Sequence, residues 1–185
     1  MTVNYPKPSA ERTALLEQIL DKALFRGDFT LSSGLKADYY VDLRRINLAG
    51  KTAPLVGRVM LETVRGLEFD AVGGLTMGAD PMATAIMYAA LAEGRAMDAF
   101  VVRKADKAHG LQRRIEGPDV AGRRVLIVED ASTTGNSPLA AVEAAREAGA
   151  EVVAVACIIE RGAARAIEAA DLPYYAAYSL EDLGV

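Results

Sequence analysis

An α/β fold with a parallel central sheet flanked by helices is the architecture this sequence predicts, and two features predict it. From residue 68 onward, short β-rich runs alternate with helical segments, the order that builds a parallel sheet covered on both faces. Two of those runs, Val125–Val128 and Val152–Ile159, are apolar without interruption. A strand with one wet face would alternate apolar and polar residues, so these two belong at the centre.

The elements follow in order. Segments 9–26 and 51–66 carry apolar residues at helical spacing, with Leu15, Leu16, Ile19, Leu20 and Leu24 in the first and Leu55, Val56, Val59, Met60 and Val64 in the second. Between them lie two β-rich pieces, FTL at 29–31 and YYVDL at 39–43. A strand at about 69–73 leads through a glycine-bearing loop to a helix opening at Asp80-Pro81. Asp80 is the expected cap there, with Pro81 at the first helical position. A strand at about 98–103 is followed by a polar loop to about 122. Then come a strand at 123–129, a helix opening at Ser137-Pro138 with the same capping logic, and a strand at 151–159. A short helix at about 163–170 and a strand near 174–178 close the chain. No repeat, low-complexity stretch or linker divides the 185 residues, so one domain is expected.

Composition narrows the function. A net charge of −4 and a pI near 5.1 argue against a duplex-DNA binder, which needs a basic face. No run of eighteen apolar residues occurs, so no membrane span is expected. The start, MTVNYPKPSAER, lacks the apolar core of a secretory signal. Cys157, the one cysteine, sits in VVAVACII and is expected to be a buried thiol rather than a nucleophile. A lone cysteine suits a reducing cytoplasm.

In open α/β sheets, ligands bind beyond the carboxyl ends of the strands. That rule selects four loops, 73–80, 103–122, 129–137 and 159–163. The run ASTTGNS at 131–137 joins a buried strand to a helix N-terminus. Small residues let backbone amides face a ligand, hydroxyls add donors, and the helix dipole favours an anion. An ordinary capped turn has the same composition. The adjacent acids Glu129 and Asp130 separate the two readings. A carboxylate pair would repel a neighbouring phosphate unless it had other work, and vicinal ribose hydroxyls would supply that work. A phosphorylated sugar is therefore the expected ligand. Gly50-Lys51-Thr52 resembles the end of a nucleotide-binding P-loop, but Arg45 stands where its first glycine is required.

The stretch 103–124 holds Arg103, Lys104, Lys107, Arg113, Arg114, Arg123 and Arg124 against three acids, net +4, so a chain of −4 carries −8 elsewhere. His109, the only histidine, lies inside it. A solvated loop is the plain reading. Cations gathered opposite an acidic background also suit a polyanionic leaving group, whose charge they neutralise as it develops. The loop GGLTMG at 73–78 could present backbone amides to a diphosphate, or serve as a tight turn.

These residues resemble a known family. VLIVEDASTTGNS is similar to the 5-phosphoribosyl 1-pyrophosphate (PRPP) motif of type I phosphoribosyltransferases, and FTLSSGLKADYYVDLR and FVVRKADKAHG resemble the hood and catalytic loop of its orotate branch. The resemblance spans roughly residues 10–180 and implies that residues 1–45 contribute a small N-terminal hood to the single domain. It implies transfer of the phosphoribosyl group from PRPP to orotate, giving orotidine 5′-monophosphate and pyrophosphate in de novo pyrimidine synthesis. It further implies a homodimer with the catalytic loop shared between subunits. Mg²⁺ would be held through PRPP and water near Glu129 and Asp130, with no direct protein ligand.

By the same resemblance, Ser132, Thr133, Thr134, Gly135, Asn136 and Ser137 take the 5′-phosphate, and Glu129 and Asp130 face the ribose. Arg103, Lys104, Lys107 and His109 take the pyrophosphate, with Lys104, Lys107, His109 and Asp130 as the catalytic group. Tyr39, Tyr40, Thr133 and Arg161 hold orotate. Many relatives carry lysine where this chain has Ser32 and Met77, and Lys36 and Arg44 are the candidates to compensate. A purine phosphoribosyltransferase, or a PRPP-sensing regulator that binds nucleic acid, would share the loop at 131–137. The hood and basic loop oppose the first, and the acidic balance outside the loop opposes the second.

Overall fold

The computed structural model describes residues 3–30, 36–104 and 114–185. Ser32, Lys107 and His109 lie outside the described residues. A six-stranded sheet runs in the order β5-β4-β3-β6-β7-β8. Its members are β3 (Ala71–Leu75), β4 (Asp98–Val102), β5 (Ile115–Glu116), β6 (Arg124–Ser132), β7 (Glu151–Glu160) and β8 (Tyr174–Tyr178). All neighbours are parallel except β5, which returns antiparallel along β4. The polar loop expected to run unbroken to 122 therefore contains a strand. Arg103 N donates to the Arg114 carbonyl at 2.8 Å, closing that hairpin.

The central strands are apolar throughout because both faces are covered. Leu126 and Val128 of β6 and Ala154, Ala156 and Ile158 of β7 pack on one face, under α1 (Ala10–Lys22), α3 (Ala53–Thr63) and α4 (Ala79–Ala92). Val125 and Ile127 with Val155 and Cys157 pack on the other, under α5 (Asn136–Glu147) and α6 (Ala164–Ala169). Strand alternation sends successive side chains to opposite cores. Cys157 is fully buried, as expected, with Sγ 3.0 Å from the Tyr174 hydroxyl. Burial pushes its thiol well above the ordinary value, so it is no thiolate.

The first helical segment is shorter than expected. Ser9 caps α1 by accepting from Arg12 N at 3.1 Å, and the helix stops at Lys22. Leu24, counted in the helical pattern, instead opens β1 (Leu24–Thr30), which pairs antiparallel with β2 (Lys36–Val41). A four-residue helix, α2 (Arg44–Asn47), follows β2. Arg12 ties α1 to the end of the chain, with Nε on the Ala177 carbonyl at 2.8 Å and the guanidinium on Asp182 at 3.1 Å.

Neither expected helix cap holds. Asp80 lies inside the first turn of α4, which Gly78 precedes, and its carboxylate accepts the Thr76 hydroxyl at 2.7 Å. Ser137 lies inside α5, whose cap position is Gly135 at φ 80°. A side-chain oxygen caps only from the residue just outside the helix, and both helices start earlier than the proline pattern suggested.

Candidate functional site

The turn after β6 is built by glycine. Gly135 adopts a left-handed φ of 80°, and a Cβ there would stand 2.9 Å from Ala166 Cβ of α6. Only glycine fits both demands. The chain therefore turns tightly into the N-terminus of α5, leaving Thr133, Thr134, Asn136 and Ser137 exposed around that positive end. Ser132 is buried, and its carbonyl accepts from Arg161 N at 2.9 Å, which joins the two neighbouring loops.

Glu129 and Asp130 stand at the last turns of β6, beside a cavity of about 300 Å³. Tyr40, Asp42 and Arg44 line it from the hairpin side, Met77 and Gly78 from the loop after β3, Lys104 from the end of β4, and Ser137 from α5. Glu129 is only 6% exposed. Its Oε1 accepts from Asp130 N at 3.2 Å, and Asp130 Oδ1 accepts from Ala131 N at 2.7 Å. Gly78 is packed against both acids: a Cβ there would lie 2.7 Å from Glu129 Oε1 and 2.9 Å from Asp130 Oδ1.

Two carboxylates this close in a buried setting cannot both ionise cheaply. Burial first, then the charge of Asp130, pushes the Glu129 carboxyl up from 4.5 to about 8. Burial also raises Asp130, against the hydrogen bond from Ala131 and the positive charge of Arg44. At neutral pH the acid pair therefore holds a proton between its two carboxyls. The unfolded chain releases that proton above 4.5 and the folded chain keeps it to about 8. Stability of the unliganded protein accordingly falls as pH rises through that window, with the loss complete above it. Glu129→Gln, which cannot ionise, is expected to melt above the parent by a margin that grows from pH 5 to pH 8.5. Thermal melts at the two pH values check this, and an equal margin at both would refute it.

Of the expected residues, Ser132, Thr134, Gly135 and Asn136 belong to the turn and do not line this cavity, and Arg103, Tyr39, Thr133 and Arg161 also fall elsewhere. Arg103 points to its own hairpin, with Nη1 3.3 Å from Glu116 Oε1, and does not line the cavity that Lys104 lines. Tyr39 and Tyr40 occupy opposite faces of β2, as neighbours on a strand must. Tyr40 lines the cavity, while Tyr39 lies under the Arg161 guanidinium, 5.5 Å from ring centroid to Cζ. Among the described residues Arg161 Nε is buried without a partner, an unmatched donor of the kind that a ligand can satisfy. Thr133 is beside it: a Cβ on Gly162 would stand 3.2 Å from the Thr133 carbonyl. Tyr39, Arg161 and Thr133 thus form a second corner, adjoining the acid-lined one.

Sequence reasoning missed Gly78 as a residue of clearance, seeing in GGLTMG amides for a diphosphate or a tight turn. It also missed Asp42, which holds Arg44 by a 2.7 Å bond between Oδ1 and Nε. The signal for Asp42 was present in the D-L-R run directly after the aromatic strand.

A sheet whose carboxyl edge joins an anion-binding turn to a carboxylate pair is the apparatus of phosphoribosyl transfer. The family model described as phosphoribosyl transferase domain matches residues 49–172. A curated relative from Streptomyces avermitilis, an orotate phosphoribosyltransferase, is 67% identical over 177 residues, covering 94% of this chain and 97% of the relative. The crystal structure of the Mycobacterium tuberculosis H37Rv orotate phosphoribosyltransferase in complex with Fe(III) dicitrate is similar at TM-score 0.85 and 53% identity, covering 95% of this chain and 99% of that one. The same enzyme in complex with PRPP is similar at TM-score 0.82 and 48% identity, with the same coverage. The chain belongs to the orotate phosphoribosyltransferase family.

Proposed function

We infer that this chain transfers the 5-phosphoribosyl group from PRPP to orotate, giving orotidine 5′-monophosphate and pyrophosphate. Beyond kinship with named orotate phosphoribosyltransferases, one observation carries the reading. The acid pair Glu129–Asp130 shares a cavity with the cations Lys104 and Arg44. Displacement at the ribose C1 builds positive charge on the ring and negative charge on the departing diphosphate. A site complementary to that state puts carboxylates by the ring and cations by the leaving group. Thr133 to Ser137 at the start of α5 would take the 5′-phosphate. The corner of Tyr39, Arg161 and Thr133 would take orotate, the unpartnered Arg161 donor meeting its carboxylate or ring oxygens. Orotate is already an anion, so no strong base is needed, and no covalent intermediate is invoked.

Lys107 and His109 would join Lys104 around the pyrophosphate. In a homodimer with a shared loop, Arg103 would give up its Glu116 contact to join them. An apolar groove of about 800 Å³ between α3 and α4 supports such a dimer, with Leu48, Tyr88 and Pro81 among its lining. Asn47 lines the same groove. A docking copy would cover the apolar surface.

Mg²⁺ fits the donor set. Among the described residues no three His, Cys, Asp or Glu side chains gather to hold a metal by themselves. Two carboxylates beside the substrate would steady this ion through its water ligands, while the diphosphate oxygens bind it directly. Bound there, it would offset the charge of the diphosphate. No helix among the described residues is long and apolar enough to cross a membrane, and the one cysteine is an unpaired thiol, in keeping with a cytoplasmic enzyme.

The test follows orotate absorbance with PRPP and Mg²⁺, with adenine, guanine and xanthine as rival acceptors. Orotate is expected to be consumed at least about 100-fold faster than any purine, the discrimination available to a site whose buried polar groups a wrong acceptor leaves unpaired. Equal or greater use of a purine would overturn the assignment.

A further inference from the structure

We propose that Arg44 is a diphosphate-binding residue of this site, supplying from the β1–β2 hairpin side the positive charge that the loop 73–78 does not carry. The inference rests on the function proposed above.

The loop after β3 brings to the cavity the Met77 side chain, 62% exposed and uncharged, beside Gly78. Among the described residues that line the cavity, the cations are Arg44 and Lys104 and the acids are Asp42, Glu129 and Asp130. Arg44 is also aimed. Asp42 Oδ1 accepts from its Nε at 2.7 Å and from its backbone N at 3.2 Å, and its Nη2 lies 3.4 Å from the Tyr40 hydroxyl. Two of these contacts hold one edge of the guanidinium while the side chain stays 48% exposed. A planar fork fixed along its Nε edge suits paired phosphate oxygens. Its field reaches Asp130, where it opposes the upward push of burial.

Position selects the diphosphate over the other ligand groups. The 5′-phosphate has its own cradle at the start of α5, beyond Glu129 and Asp130. The orotate corner lies with Arg161 against Tyr39, on the face of β2 opposite Tyr40. Arg44 lines the cavity together with Met77, Gly78 and Lys104, the cation that would meet the departing diphosphate. Lys36, the other cation considered from sequence, begins β2 at the end far from Val41 and does not line the cavity.

Arg44→Leu in the full-length protein is the test, with Arg44→Gln in reserve should the leucine variant fail to fold. The KM for PRPP is expected to rise about tenfold or more, the scale of one charged hydrogen bond, while the KM for orotate holds. Calorimetric binding of pyrophosphate should weaken by a similar factor. Arg44→Lys should recover part of both losses, and Asp42→Asn should give an intermediate loss because it only releases the guanidinium. An active parent whose Arg44→Leu form keeps its PRPP KM and pyrophosphate affinity overturns the proposal. So does a rise confined to the orotate KM, which would place Arg44 on the acceptor side. A parent that never consumes orotate instead overturns the proposed function, and pyrophosphate calorimetry still decides the role of Arg44.

Discussion

Lys107→Ala and Asp130→Ala proteins, each nearly inactive alone, are expected to form active hybrids when combined. Each change removes one electrostatic contact made in the transition state, which costs about 100-fold or more in kcat. In a dimer that shares its basic loop, a site joins Asp130 of one copy to Lys107 of the other. A hybrid then has one site with both residues and one with neither. Hybrids purified through two different tags should show about half the parent's activity, given the symmetry of a two-fold assembly. Hybrids that assemble and stay inactive would refute the shared loop. Arg103, at the root of that loop, spends its guanidinium on Glu116 within the hairpin and leaves the local cavity to Lys104.

Gly78→Ala should be nearly as damaging, though it adds only one methyl. That methyl would arrive 2.7 Å from Glu129 Oε1 and 2.9 Å from Asp130 Oδ1. Real Cβ atoms do not approach oxygens so closely, so the acids or the loop must shift. Glu129 is buried and both carboxylates are tied to backbone amides, which leaves little room to yield. A displacement approaching 1 Å in a positioning group costs about 100-fold in kcat/KM. The fold should lose only about 1–3 kcal/mol, the usual cost of overpacking. Gly50→Ala is the control, since a Cβ there meets nothing within 4 Å, and it should leave kcat/KM unchanged. A Gly78→Ala enzyme with parental kcat/KM would show that the acid pair is not held against this loop.

Parts of the molecule were legible because they depend on local chemistry. The last strand, Tyr174–Tyr178, matches its expected bounds, since an aromatic apolar run between a proline and a serine admits little else. The central strands read correctly because burial on both faces leaves no polar position. The acid pair and the glycine–hydroxyl turn were visible as adjacent residues of one segment. Leu24 misled because an apolar residue fits a helical stripe and a strand equally well. Asp80 and Ser137 misled because a capping residue and a proline define a start only to within a turn. The strand at Ile115–Glu116 was hidden in charge, being a two-residue edge held by β4 rather than by its own propensity.

By itself the sequence determined the α/β class, the strand ends where a ligand must sit, and the phosphorylated sugar that an acid pair beside an anion-binding turn implies. These follow from neighbouring residues, whose spacing the backbone dictates. Tertiary structure alone decided which distant side chains meet there. It set Lys104 rather than Arg103 in the cavity, paired Tyr39 with Arg161 and Tyr40 with the acids, aimed Arg44 by way of Asp42, and pressed Gly78 against two carboxylates. Each of those contacts joins separate loops of the sheet's carboxyl edge. Their geometry depends on how strands pair and helices pack, which no single segment encodes.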